Sequence, residues 1–397
     1  MDNLIIKPGY VTLFQCIGPE CEDSCCNDWR ISFDKKSYKN TIKHPLLATT
    51  AKTAFIETKK SANDWADIRL NEQGVCPFVN EQKLCDVHAK AGLQALSHTC
   101  KTYPRIHKVI GGNKHESLYL SCPEVARLVL FNPDAFQFDT NRSGTKQSSS
   151  PSPLWLEKTH ESCIDLLVNM KGGWQHALLA IGLLIKVCDQ VRQNTLPIEE
   201  LDKRLQQLKL YAESGALAEQ YEKLPYTPQP QMHAFITVHN ELCKSHSRGE
   251  RARFTTLNEA VGVLCNEENE YHIDALNQAW TEHAAPALAG HSELFERYIL
   301  YSIYHNHFPL LDSQQPSWEA FRLLVLDCFM IRCYLSAIAF KNKGLSESDI
   351  VMCFQIYQVV RQHKIEFVKS MSATLQECGI DSVPAAICLL KTQALIL

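Results

Sequence analysis

Residues 16–26 read CIGPECEDSCC and place Cys16, Cys21, Cys25 and Cys26 within eleven positions. Four more cysteines follow at Cys76, Cys85, Cys100 and Cys122, so eight of the chain's 17 lie in its first 122 residues. The other nine are scattered singly over the remaining 275, the distribution of ordinary packing thiols. Gly18 and Pro19, between the first two cysteines, favour a loop wrapped around something over a helix. No basic segment followed by a long apolar run opens the sequence, so the expected compartment is the reducing cytoplasm. Clustered thiols there more often bind metal or carry redox chemistry than form a disulfide scaffold.

Working outward, 397 residues are enough for a large core and two domains. Apolar content of 45% and a net charge of -4 fit a globular protein with neither a nucleic-acid nor a membrane-surface partner. The longest apolar stretch, 321–340, is interrupted by Arg322, Asp327 and Arg332, which reads as a buried helix and not a membrane span. Residues 139–153 (DTNRSGTKQSSSPSP) have the composition of a linker. The expected fold is therefore mainly α: a small irregular cysteine-rich metal domain over 1–138, the linker 139–153, and a larger all-helical domain over 154–397.

Helices are expected at about 154–170, 174–193, 197–223, 229–246, 256–280, 292–307, 317–341, 347–371 and 383–396, with a cap at Ser152-Pro153 and a capping box at Ser346/Asp349. In the first domain, residues 1–15 read as a short strand or arm and 29–34 as a short strand. Residues 86–99 read as a helix that delivers Cys100 just past its end. Cys122 is expected to be a helix N-cap, with Pro123 at the first position and Glu124 in the first turn. A thiolate there gains from the helix dipole.

Spacing alone leaves the metal open. A structural zinc takes four Cys or His ligands in a tetrahedron, and a [4Fe–4S] cluster takes four thiolates held by loops. There is no pair of CxxC knuckles. Cys21-x3-Cys25 matches the start of a CxxxCxxC triad, but Asp28 occupies the third position, so that triad is absent. Eight thiols exceed four ligands, which means either two sites or some packing thiols. A Rossmann-type fingerprint is also missing: neither Gly111-Gly112 nor Gly172-Gly173 follows a strand with an acidic residue about 20 positions on. His88 and His98 are expected to be hydrogen-bonded and not ligands, and Trp29 to shield or pack. Lys35, Lys36, Lys39 and Lys43 read as a solvated face. Tyr298, Tyr301, Tyr304, His305 and Phe308 recur at helical spacing and fit core better than an aromatic cage. His305 and His307, two apart, point to different faces.

In combination, these blocks resemble the flagellin lysine-N-methylase family, within a wider group of cysteine-rich zinc- or iron-chelating proteins. The matching residues are Cys21-Glu-Asp-Ser-Cys25-Cys26 with Trp29, Cys76-Pro77-Phe78, Cys85, Leu96-Ser97-x-Thr99-Cys100-x-x-Tyr103-Pro104-Arg105, and Leu120-Ser121-Cys122-Pro123-Glu124. They cover roughly residues 14–130. The resemblance implies methyl transfer from S-adenosylmethionine to lysine side chains of flagellin in the cytoplasm, and a cysteine-held [4Fe–4S] cluster. Which four cysteines would be ligands is not fixed by the sequence; the order of expectation is Cys25, Cys26, Cys85, Cys100 and Cys122 first, then Cys21 and Cys76, with Cys16 last. Arg105, beside Tyr103, is the candidate to hold a cofactor carboxylate by paired hydrogen bonds. The alternatives are a non-enzymatic zinc- or iron-chelating protein and an iron–sulfur electron-transfer module.

Overall fold

The computed structural model describes residues 3–27, 31–142, 151–170, 172–244, 248–265, 271–310, 317–362 and 365–393. Trp29 and most of the expected linker lie outside these ranges. The chain is mainly α, with 61% helix and 10% strand.

The N-terminal third carries more strand than its composition announces. β1 (Leu4–Pro8) runs into the one-turn helix α1 (Gly9–Leu13). β2 (Ser32–Phe33), β3 (Phe55–Glu57) and β4 (Ala66–Ile68) form a small sheet in the order β2-β4-β3. Between them lie α2 (Lys35–Lys43), N-capped by the Asp34 carboxylate, and α3 (Ala48–Ala54). The segment expected as one helix over 86–99 is broken. α4 (Asp86–Ala91) stops at Gly92, whose φ of +76° no helix accommodates, and α5 (His98–Thr102) restarts behind Ser97. Cys100 therefore lies inside α5 and not beyond a helix end.

β5 (Arg105–Ile110) and β6 (Asn113–Leu118) form a hairpin over Gly111-Gly112, both at positive φ. The glycines that fail as a cofactor fingerprint serve as hairpin turn residues. β6 pairs in parallel with β1, and β1 pairs antiparallel with β7 (Phe138–Arg142), giving the order β5-β6-β1-β7. The first residues of the expected linker, 139–142, are thus sheet. α6 (Pro123–Phe131) starts at Cys122 as its N-cap with Pro123 in the first turn, as expected.

From residue 154 onward the described chain is helical: α7 (Leu154–Asn169), α8 (Trp174–Arg192), α9 (Glu199–Glu213), α10 (Ala216–Glu222), α11 (Pro228–Cys243), α12 (Arg248–Gly262), α13 (Ile273–Ala279), the single turn α14 (Ala285–Ala287), α15 (Leu294–Asn306), α16 (Ser317–Asn342), α17 (Glu347–Gln362), α18 (Ile365–Glu377) and α19 (Val383–Cys388). Gly215, at φ +80°, splits the expected 197–223 helix in two. Ser346 and Asp349 form the expected capping box, each side chain accepting the other's backbone N–H at 2.9–3.1 Å. At α7 no side chain caps the first turn, so Ser152 does not serve as expected.

α16 is long and apolar enough to cross a membrane, but 94% of its most apolar window is buried against neighbouring helices, among them α8, α12, α13 and α17. Its charges are each matched inside the fold. Arg322 donates to Glu319 at 2.6 Å and to the Ile380 carbonyl at 3.0 Å. Asp327 accepts from Tyr357 at 2.6 Å and Arg361 at 3.0 Å. Arg332 donates to the Leu390 and Leu389 carbonyls and to Asn277 Oδ1.

Two hydrophobic cores result. The small one gathers Ile31, Phe33, Leu47, Phe55, Ile68, Phe78, Val87 and Leu96, with Cys76 buried inside it and Cys26, Cys85 and Cys100 against it. The large one holds the helical bundle together with α6 and residues from α1 and β6, and Cys122 lies against it. Segments 4–14 and 105–142, N-terminal to the expected linker, thus pack with the helical bundle. α15 lies under the four-stranded sheet: Tyr301 Oη donates to the Leu118 carbonyl and accepts from Leu120 N–H, while Tyr304 Oη reaches the Ile6 and Glu116 carbonyls.

Candidate metal centre

The two cores meet where the cysteines are. Cys26 is tied to Cys76 through backbone, Cys76 N–H donating to the Cys26 carbonyl at 3.0 Å. Cys85 is the N-cap of α4, Cys122 the N-cap of α6, and Cys100 sits in the first turn of α5, its N–H capped by Ser97 at 3.1 Å. Three of the thiols are therefore carried by helix starts, and at two of them backbone N–H groups face the sulfur. The N–H groups of Val87 and His88 turn toward Cys85, and those of Glu124 and Val125 toward Cys122. His88 thus meets the centre through its backbone.

Seven of the eight N-terminal thiols sense one another. Burial pushes Cys76 and Cys122 up to about 12 and Cys21 and Cys100 up to about 11, and it raises Cys85 as well. Cys25 is raised first by its hydrogen bond with Cys26, then by burial. Beyond these causes, Cys76 is affected by Cys85, Cys100 and Cys25, Cys100 by Cys85 and Cys25, and Cys122 by Cys21 and Cys25. Cys25 is common to all of them. Cys16 is exposed. Among the described residues no group of three or more His, Cys, Asp or Glu is arranged to hold a single metal ion. Cys26, Cys85 and Cys100 lie against the small core and Cys122 against the large one.

Tyr103 lies at the same junction. Its hydroxyl is 3.2 Å from Ser121 Oγ, and burial followed by Cys122 holds its pKa far above the ordinary value. Arg105 does not accompany it. It is the exposed first residue of β5, with its guanidinium over the Phe14 ring, 5.0 Å from the centroid. The aromatic stripe on α15 is core: Tyr298, Tyr301, Tyr304 and His305 are buried and their polar atoms engaged.

Two groups of polar residues carry no signal in the sequence. One is the set of contacts on the cysteine loop, where the Asp23 carboxylate receives Arg253 from α12 and Gln355 from α17, more than 200 positions away. The other is a histidine cluster. His307 stacks near His160 at 4.4 Å between centroids and faces His115 at 5.9 Å. Burial lowers His115 to about 4 and His307 to about 3, and lowers the nearby Lys108 to about 8. No motif marks these positions, because their partners come from a hairpin and two helices far apart in the chain.

A family model described as "FliB lysine N-methylase C-terminal domain" matches residues 160–389. Among curated proteins, the lysine-N-methylases of Salmonella typhimurium and Salmonella choleraesuis are each 25% identical over 379 residues, spanning 92% of this chain and 94% of theirs. A flagellar biosynthetic protein FliU of Salmonella muenchen is 35% identical over 162 residues, which is 40% of this chain and 96% of that protein. No solved structure matches.

Proposed function

The chain belongs to the FliB lysine N-methylase family, and from that premise we propose that it is a protein lysine N-methyltransferase acting on flagellin in the cytoplasm. In this reading it uses S-adenosylmethionine as donor and a cysteine-held [4Fe–4S] cluster. The observation that carries the reading is the convergence of Cys21, Cys25, Cys26, Cys76, Cys85, Cys100 and Cys122 on the junction of the two cores.

Zinc and a four-iron cluster both take four thiolates, and it is the resemblance to the lysine N-methylase family that favours the cluster. Thiolates on one zinc ion lie about 2.3 Å from it and must crowd together. A four-iron cluster takes the same four ligands from loops spread around a larger body. Thiols bind metal as thiolates, so loading releases protons and assembly is favoured at higher pH.

Methyl transfer makes three demands on the protein. The acceptor amine, with a reference pKa of ~10.4, must lose its proton. Sulfur, carbon and nitrogen must lie in line. The sulfonium needs surroundings that tolerate its charge. When bound, a cluster would staple the loops that hold it, or would offer an iron to the amino-acid end of the donor or electrons to the transfer. Tyr103, half-buried beside Cys122 and Cys25, would shape the wall of that pocket. Arg105, exposed at the head of β5 over the Phe14 ring, is not part of that wall. The sheets supply no Rossmann pocket, since β1–β6 is the one parallel pair among the described strands.

The test is mass spectrometry of flagellin incubated with the anaerobically purified protein and isotopically labelled S-adenosylmethionine. Label on flagellin lysines is the expected result, and unlabelled flagellin in the presence of an intact cluster contradicts the assignment.

A further inference from the structure

We propose that Gln355 and Arg253, both in the helical bundle, are positioning residues that hold the Cys21–Cys26 loop against Cys122, so that the bundle sets the spacing of the thiol centre. Between Cys21 and Cys26 there is neither helix nor strand, so the loop has little shape of its own. What it has is Asp23, whose carboxylate is fully used. Arg253 forks onto it, Nε to Oδ2 and Nη2 to Oδ1, both at 2.6 Å, and reaches the Ser24 carbonyl at 3.4 Å. Such a planar, two-bond contact fixes orientation as well as distance.

Gln355 makes the connection to the other side. Its Nε2 donates to Asp23 Oδ2 at 2.7 Å and to the carbonyl of Ser121, the residue before Cys122, at 2.9 Å. One amide nitrogen therefore joins the cysteine loop to the start of α6. Gln355 is 2% exposed, so water does not compete for these bonds. On the outer side Arg127 of α6 pairs with Glu22 of the loop and with Glu124, two residues past Cys122. The loop and the Cys122 turn are thus pinned from within by α17 and from without by α6.

The inference rests on the proposed function only for the identity of the metal, and the experiment keeps the two apart. Gln355→Leu and Arg253→Met are made in the full-length chain. Each variant is assayed for native circular dichroism, for iron per chain after reconstitution, and for cross-linking of Cys21 to Cys122 in the metal-free protein by a bifunctional thiol reagent, read by peptide mapping. Both variants are expected to keep their helical spectrum, to hold iron about tenfold more weakly and to lose the cross-link, while Arg253→Lys, which keeps one bond, recovers part of both. Wild-type iron and cross-linking in both variants overturns the proposal, as does loss of iron with the cross-link intact. If the wild-type chain takes up no iron, the cluster assignment fails and the cross-link alone decides. Should Gln355→Leu not fold, Arg253→Met at the partly exposed edge carries the test.

Discussion

At the scale of single residues, the thiols divide by position. Cys122 stands beside Cys21 and Cys25, whereas Cys16, exposed as Cys25 also is, has no interaction with the other thiols among the described residues. Cys122→Ser is expected to reduce bound iron about tenfold or more, and Cys16→Ser to leave it unchanged. Iron assay of the two reconstituted proteins checks this. The histidine cluster gives a second prediction. His115 and His307 have folded pKa values of about 4 and about 3, lowered by burial and by neighbouring histidines, in surroundings that also hold His160 and Lys108. The unfolded chain titrates near ~6.5. Between those values the unfolded state binds more protons, so stability is full above the unfolded pKa and is lost as pH falls toward 4, by up to about 1.4 kcal/mol per pH unit per group. Thermal melts at pH 7.5 and pH 5 should show this loss, and His307→Asn, which suits the left-handed backbone there, should diminish it. The cysteines were legible in the sequence because their chemistry is intrinsic to the residue type. Asp23, Arg253 and Gln355 were not, because an aspartate, an arginine and a glutamine acquire their roles only when the fold brings together positions 230 and 332 apart.

At the scale of elements, close approach and buried charge decide what is tolerated. A Cβ on Gly9 would stand 1.9 Å from the Asp134 carbonyl oxygen, where no side chain can give way. Gly9→Ala must therefore separate α1 from the turn before β7, and the expected cost is about 1–3 kcal/mol in denaturant unfolding. Arg332→Met keeps the volume in α16 but orphans the Leu389 and Leu390 carbonyls, at roughly 1–3 kcal/mol for each acceptor left buried and unpaired. A melting temperature equal to the parent's would contradict either statement. The long helices were readable from apolar spacing and caps, as the Ser346/Asp349 box illustrates. β7 was not: its sequence, FDTNR, is polar and fully exposed, and it is strand only because its backbone completes the edge of β1. The break at Gly92 was missed because helical composition on both sides outweighed one glycine whose positive φ turns the chain toward Cys100.

At the scale of the whole molecule, the matched C-terminal region and the cysteine-rich segment are not independent parts. Residues 160–389 form most of the large core, yet they supply Arg253 and Gln355 to the loop at residues 21–26. The proposed methyl-transfer site at this junction would draw on both, with thiols from one side and Arg253 and Gln355 from the other. The measurement that reaches the central claim most directly is the iron and acid-labile sulfide content of the anaerobically purified full-length protein, taken with its visible spectrum. We predict a brown protein with about four irons and four sulfides per chain, whereas a colourless protein carrying zinc, or no metal after reconstitution, would contradict the claim.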